Sequence, residues 1–275
     1  MELTIKKIFV GLFISLSMLL PFQSIAQQSS NTDEPLILGI LPFSSPVALL
    51  KRFAPLRDHL QQKLGLPIIV ETASNFDEFV MRTHARRYDL VLTAPHFTLL
   101  ALDSGKYDVK ASYLKPLSAA ISVRRDSNIR YLKQLEGKKI STPPEIAIIT
   151  IAGKSHLKKH LKTEPQYVTY QSHNASLDAM LVGNSIAAIA SLNPTRQYMQ
   201  RDIPLRIIAS TPPLPGMGLL VAKDLSKALQ KKYQDALINM DKDTEGKKAL
   251  KKMGYPGYRA VKKQEFESTR LFLQK

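Results

Sequence analysis

The histidines are the side chains best suited to chemistry in this sequence, and His156 and His160 stand four residues apart. On a helix that spacing puts both rings on one face, within reach of a single metal ion. Leu157, however, stands where a zinc peptidase has its glutamate, and Lys158 and Lys159 would repel a cation. The pair reads as a solvated helix face, and no metal site is assigned. No glycine-rich phosphate loop and no Gly-x-Ser-x-Gly elbow is present. The carboxylates fall mostly on expected helix surfaces and turns, with none paired at a strand end. No catalytic residue or cofactor is assigned, and the chain reads as something other than an enzyme.

Four short stretches suit binding better than catalysis: Phe43-Ser44-Ser45, Thr93-Ala94-Pro95-His96, Ser141-Thr142-Pro143-Pro144 and Ser191-Leu192-Asn193. Each joins an apolar run to a helical pattern and carries hydroxyls or an amide. In open parallel sheets ligands bind beyond the carboxyl ends of the strands. There the free N–H groups of helix starts converge and favour polar or anionic ligands. The candidate contacts are Phe43, Ser44, Ser45, Thr93, Pro95, His96, Thr142, Pro144, Thr150, Ser191 and Asn193. Thr93, His96, Thr142 and Asn193 are expected to line the cleft. His96 has a second reading, a helix-start residue bonded to backbone. Phe97, Tyr167 and Tyr170 read as packing residues.

The elements that must position these loops follow from periodicity. The apolar run 36–41 is typical of a strand buried on both faces. Ser45 and Pro46 are a good N-cap and first helical residue. Leu49, Leu50, Phe53, Leu56, Leu60 and Leu64 then recur at helical spacing, and Gly65 stops the helix. Strands are predicted at 67–72 and 89–93, with a helix from Ser74 to about residue 86 between them. A second series follows: strands at 118–123, 139–141, 166–170 and 186–190, and helices at 129–135, 145–161 and 172–182. Strands at 205–210 and 218–222 precede helices near 225–240, 244–253 and 262–273. This order predicts α/β architecture in two blocks, with the C-terminal helices packing back on the first.

Lys6 and Lys7, the apolar run 8–22 and the small-x-small Ser24-Ile25-Ala26 predict a secretory leader cleaved after residue 26. Residues 27–35 read as a polar, disordered lead-in. The absence of cysteine excludes disulfides and a lipid anchor. Export without an anchor points to a Gram-negative periplasm, with no stable membrane insertion after cleavage. The net charge of +16 is spread over solvated faces rather than concentrated, and export argues against nucleic acid as a partner.

The chain resembles the phosphate/phosphite/phosphonate substrate-binding proteins of ABC transporters, within the type II periplasmic binding proteins. The resemblance runs from Leu36 to about Leu273. It is carried by Leu38-Gly39-Ile40-Leu41-Pro42, by the stretch from Tyr88 to His96, by Ser122-Val123-Arg124-Arg125-Asp126-Ser127 with Leu135-Glu136-Gly137-Lys138, and by the segment from Ser210 to Pro215 ahead of Val221-Ala222-Lys223-Asp224-Leu225. It implies a two-lobed fold, each lobe a mostly parallel sheet flanked by helices, joined by two crossover strands near 114–117 and 211–218. Lobe 1 would be 36–116 with 213–275, and lobe 2 117–212. It also implies a monomer that closes on a small-molecule ligand and passes it to an ABC permease, or else reports occupancy to a membrane sensor protein, a kinase or cyclase. Phosphonate binders of this kind place a Ser-Thr-Ser-Gly-like run at the start of the second lobe's long helix. Here that stretch reads Pro144-Glu145-Ile146-Ala147-Ile148-Ile149-Thr150. A carboxylate at Glu145 facing the cleft would repel a phosphonate dianion, which favours a less charged or partly apolar ligand.

Overall fold

The computed structural model describes residues 34–273; the leader expected over 1–26 and the lead-in through residue 33 lie outside them. The opening apolar run forms β1 (Leu36–Ile40), with Leu38 and Ile40 wholly buried. The Ser45 hydroxyl accepts from the Ala48 N–H at 3.4 Å, and Pro46 opens α1 (Pro46–Leu64). The stripe Leu49, Phe53, Leu56, Leu60 and Leu64 turns inward. Gly65, at φ 73°, ends the helix and donates its N–H to the Gln61 carbonyl at 2.9 Å. There follow β2 (Ile68–Glu71), α2 (Phe76–His84), β3 (Leu90–Thr93), α3 (Pro95–Asp103) and β4 (Tyr107–Tyr113).

The chain then crosses into a second sheet. This holds β5 (Ala119–Arg124), a 3-10 turn at Leu132–Leu135, β6 (Lys139–Thr142), α4 (Ile148–His160), β7 (Gln166–Thr169), α5 (His173–Leu181), β8 (Ala187–Ser191), α6 (Leu192–Gln200) and β9 (Leu205–Ser210). It returns through β10 (Gly218–Ala222), α7 (Lys227–Ile238), α8 (Thr244–Met253), β11 (Tyr258–Arg259) and a 3-10 helix at Lys263–Phe272. The first sheet has the order β11-β4-β10-β3-β1-β2 and the second β7-β6-β8-β5-β9. Helices α7 and α8 pack on α1. Among the described residues no helix is long and apolar enough to cross a membrane.

The α/β, two-lobed class stands, but the sheets are mixed where mostly parallel ones were expected. β1 runs parallel to β2 and β3, whereas β10 is antiparallel to both β3 and β4. In the second sheet β6 runs parallel to β7 and β8, and β5 antiparallel to β8 and β9. The cause is the connection itself. β4 feeds the outgoing crossover and β10 receives the returning one, so the two crossovers and their flanking strands form one antiparallel ribbon through both sheets. Leu117 and Leu214 exchange N–H···O bonds of 3.0 and 2.7 Å, and the Tyr113 N–H donates to Met217 O at 3.1 Å. Gly216 lies inside this ribbon. A Cβ there would sit 2.6 Å from Tyr113 O, so the two chains approach this closely because the residue has no side chain.

Two elements were not anticipated, β4 and β11, and α6 was expected only as a helical pattern after Ser191-Leu192-Asn193, without bounds. The Asp108 and Lys110 charges interrupt the apolar signal of β4, and α6 accommodates Pro194 because proline is tolerated in a helix's first turn. The helix expected from residue 145 starts at Ile148, because Pro143-Pro144 lead into a turn in which the Ala147 N–H donates to Pro144 O at 2.9 Å.

Candidate functional site

A cavity of about 470 Å³ lies between the two sheets. From the first sheet's side Leu41, Phe43, Phe76, Ala94, Tyr113, Met217 and Tyr255 line it; from the second, Ala147, Ile148, Ile149, His173, Ser191 and Asn193. Its volume falls within the range of small-molecule sites, and its wall mixes apolar and aromatic side chains with polar and cationic ones.

The helix starts divide into two groups. Five helices carry a side-chain cap: Ser45 on α1, Asn75 on α2, Ser172 on α5, Ser226 on α7 and Asp243 on α8. The other three, α3, α4 and α6, begin at Ala94, Ala147 and Ser191 with no side-chain cap bond. All three of these N-cap residues line the cavity. The first N–H groups of a helix have no intrahelical acceptor, and they carry the positive end of its dipole. The groups concerned are those of His96 and Phe97 in α3 and of Ile148, Ile149 and Thr150 in α4. In α6 it is that of Asn193, since Leu192 donates to Ser118 O and Pro194 has no N–H. Leaving three such ends uncapped around one cavity makes sense when the missing acceptor arrives with a ligand.

His173 opens α5 and is 7% exposed. Its Nδ1 lies 3.4 Å from the Ser191 N–H, which donates to it, so the neutral ring carries its proton on Nε2. Burial pushes its pKa down to about 4, keeping it neutral near pH 7. The lining also includes three cations, Arg52 on α1, Lys115 in the outgoing crossover and Arg196 on α6, together with Gln197 and Gln200. No aspartate or glutamate is among the lining residues.

Of the residues expected at the site, Phe43, Ser191 and Asn193 line the cavity. Ser45 is spent on capping α1, and Ser44 beside it is off the wall. Thr93, His96 and Thr142, expected to line the cleft, are buried and are not among the residues lining this cavity. Side chains alternate along a strand, so Ala94 faces the cavity while Thr93 turns to Phe79, Thr83 and Phe97 on the far side. Thr142 is wholly buried. The Thr150 hydroxyl donates to Pro143 O at 3.1 Å, and Pro144 borders a neighbouring groove that shares Phe76 with the cavity. Pro95 is buried as the first residue of α3. His96 is 1% exposed, and its Nε2 donates across the lobes to Ile146 O at 3.0 Å. Desolvation lowers its pKa to about 4, against the raising effect of that carbonyl.

Glu145 does not face the cavity. It is bonded to Lys154 Nζ and accepts from the Thr169 hydroxyl at 2.8 Å, so the repulsion expected from it is turned away from the ligand space. His156 and His160 are tied locally, the His160 Nδ1 donating to His156 O at 2.8 Å. Among the described residues no group of three potential metal ligands comes together. His173, Tyr113, Tyr255, Arg52 and Arg196 were missed in the sequence. His173 immediately follows a recognised N-cap, Ser172, so a search of every cap for adjacent titratable residues would have found it. The two tyrosines carry no local signal, because β4 and the turn after α8 become neighbours only on folding.

Two α/β lobes on an antiparallel ribbon, with uncapped helix starts facing a shared cleft, define a clamshell solute-binding protein. A model of the ABC transporter periplasmic phosphonate substrate-binding proteins matches residues 38–266. The chain belongs to that family: it is the component that captures a small ligand between two lobes and delivers it to an ABC importer. No curated protein sequence matches the chain. Among solved structures, a binding component of an ABC phosphonate transporter from Pseudomonas aeruginosa superposes with a TM-score of 0.78 at 15% identity, covering 88% of this chain and 86% of that one. PhnD1 of Prochlorococcus marinus, in complex with methylphosphonate, gives 0.77 at 17%, covering 86% and 96%. A Xanthomonas citri protein bound to ATP gives 0.70 at 16%, covering 87% and 96%.

Proposed function

We propose that this protein binds a small anion in the interlobe cavity, with the acid group held by the starts of α3, α4 and α6, and performs no chemistry on it. The observation that carries this reading is the division of the helix starts into capped ones elsewhere and uncapped ones at the cavity. The His173 Nε2–H and the Ser191 hydroxyl add neutral donors, which suit an anion without adding fixed charge. Arg52, Lys115 and Arg196 draw anions to the cleft. The family's phosphonate chemistry fits this cradle, although backbone N–H groups and apolar Ile148 and Ile149 stand in for the hydroxyl run.

In this reading lobe 1 comprises 36–116 with 213–275 and lobe 2 comprises 117–212. The lobes rotate on the ribbon formed by the crossovers, and the closed form is the shape a permease reads. The protein works as an unlipidated monomer in the periplasm. The test is a thermal-shift and calorimetric series with methylphosphonate, phosphate, methanesulfonate and a neutral sugar. A bound acid anion at 100 times its Kd adds about 2.7 kcal/mol of stability. Binding of the neutral solute with no response to any anion refutes the reading.

A further inference from the structure

The cavity also speaks to what the acid group is attached to. Resting on the anion-binding reading above, we propose that the ligand carries its acid on an apolar, aromatic-sized group, and that aminoalkyl phosphonates are selected against.

Three observations carry this. The first is charge. An ammonium on the ligand would find no carboxylate on the cavity wall, and would meet Arg52, Lys115 and Arg196 instead. Neither Asp77 nor Glu145 is on the cavity wall: Asp77 lines a neighbouring groove that shares Phe76 with the cavity, and Glu145 is held by Lys154 and Thr169. A buried ammonium left without a counter-charge is costly, so the wall discriminates against one.

The second is the shape and chemistry of the wall. Phe43, Tyr113 and Tyr255 belong to one aromatic cluster. Tyr113 and Tyr255 have ring centroids 4.5 Å apart, and Phe53 bridges Tyr255 at 6.0 Å and Phe43 at 6.2 Å. Phe53 is wholly buried and fixes the other rings, so the three that face the cavity form a rigid apolar surface. Met217 and Met253 complete this part of the wall and supply adaptable, polarisable contacts to a flat group.

The third is size. A water molecule occupies about 30 Å³ of liquid, so a cavity of about 470 Å³ is far larger than a methyl-substituted acid of a handful of heavy atoms requires. Phe43, Phe76, Tyr113 and Tyr255 give that space an aromatic side, beside the cations and amides of the rest of the wall.

The experiment is calorimetric titration of the full chain, purified from the periplasm, with methylphosphonate, phenylphosphonate and 2-aminoethylphosphonate. Phenylphosphonate is expected to bind at least about tenfold more tightly than methylphosphonate, and 2-aminoethylphosphonate more weakly than either. Tyr255→Ala should weaken phenylphosphonate binding several-fold more than methylphosphonate binding, so that the ratio of the two affinities falls. Phe43→Ala serves the same purpose should Tyr255→Ala not fold. Methylphosphonate binding as tightly as phenylphosphonate, or 2-aminoethylphosphonate binding most tightly, overturns this inference and leaves the anion reading standing. No binding of any of the three removes both.

Discussion

The His96 Nε2 lies 3.0 Å from the carbonyl oxygen of Ile146, which ties the start of α3 on one lobe to the turn that launches α4 on the other. A carbonyl only accepts, so Nε2 carries the proton and donates it. The ring is stacked on Phe97 at 3.8 Å, and its Nδ1 is buried with no partner among the described residues. Two of the three uncapped helix starts are thereby clasped beside each other. The His96 side chain thus makes a contact between the lobes.

Removing this clasp should loosen closure without touching the cavity wall. A neutral hydrogen bond contributes about 0.5–1.5 kcal/mol net. His96→Ala is therefore expected to weaken anion affinity by roughly tenfold, counting the lost packing on Phe97. Small-angle scattering of the unliganded variant should show a larger radius of gyration. Unchanged affinity together with unchanged scattering would mean that closure does not depend on the bond.

Acid should destabilise the protein through His96 and His173. Both are buried and have pKa values lowered to about 4, against about 6.5 in an unfolded chain. Between those values the unfolded chain binds more protons, so stability falls as pH drops through that window and is unaffected by these groups above it. Each contributes a loss of up to about 3 kcal/mol once the pH is near the folded value. Urea midpoints at pH 7 and near pH 4.5 read the slope, and His96→Phe with His173→Phe should flatten it. A slope identical in wild type and double variant would locate the acid sensitivity elsewhere.

Much of the fold was legible because its signals are local. The stripe of α1 and its caps, Ser45 and Gly65, are fixed by neighbouring residues, and so is the Ser172 cap of α5. The site was less legible because a strand end does not announce which side its residues face. Thr93 and Ala94 are adjacent, and the hydroxyl-bearing one looks the better ligand group, but the pleat gives the cavity to the alanine. At α3 and α4 the N-cap positions are alanines, which carry no polar signal, whereas Ser191 at α6 is polar and was found although its side chain makes no cap bond. The reading of β4 failed for a different reason, because its alternation of Asp108 and Lys110 with apolar residues makes sense only once β10 and β11 flank it.

Glu145 offers a direct check on how the anion is received. Its sequence position suggested repulsion of a dianion, whereas its carboxylate is engaged by Lys154 and Thr169 outside the cavity. Glu145→Gln should therefore change anion affinity by less than about twofold. It should cost at most about 1 kcal/mol of stability, the ordinary range for a largely exposed ion pair. A gain in affinity of tenfold or more in calorimetry would show that the charge does reach the ligand.

The hinge can be tested at Gly216. The outgoing and returning crossovers touch there, and an added Cβ would lie 2.6 Å from Tyr113 O and 2.9 Å from the Ser112 hydroxyl. Contacts that short force the two chains apart, which should break the bond from the Tyr113 N–H to Met217 O and shift Tyr113 on the cavity wall. Gly216→Ala is therefore expected to lower stability by about 1–3 kcal/mol, in the range for overpacking. It should also weaken anion binding by more than the stability loss alone explains, because the displaced residue lines the site. Denaturant midpoints and calorimetric affinities measured on the same preparation separate the two effects. A variant with lowered stability and wild-type affinity would show that the ribbon is a passive tether and that the cavity is set by the lobes alone.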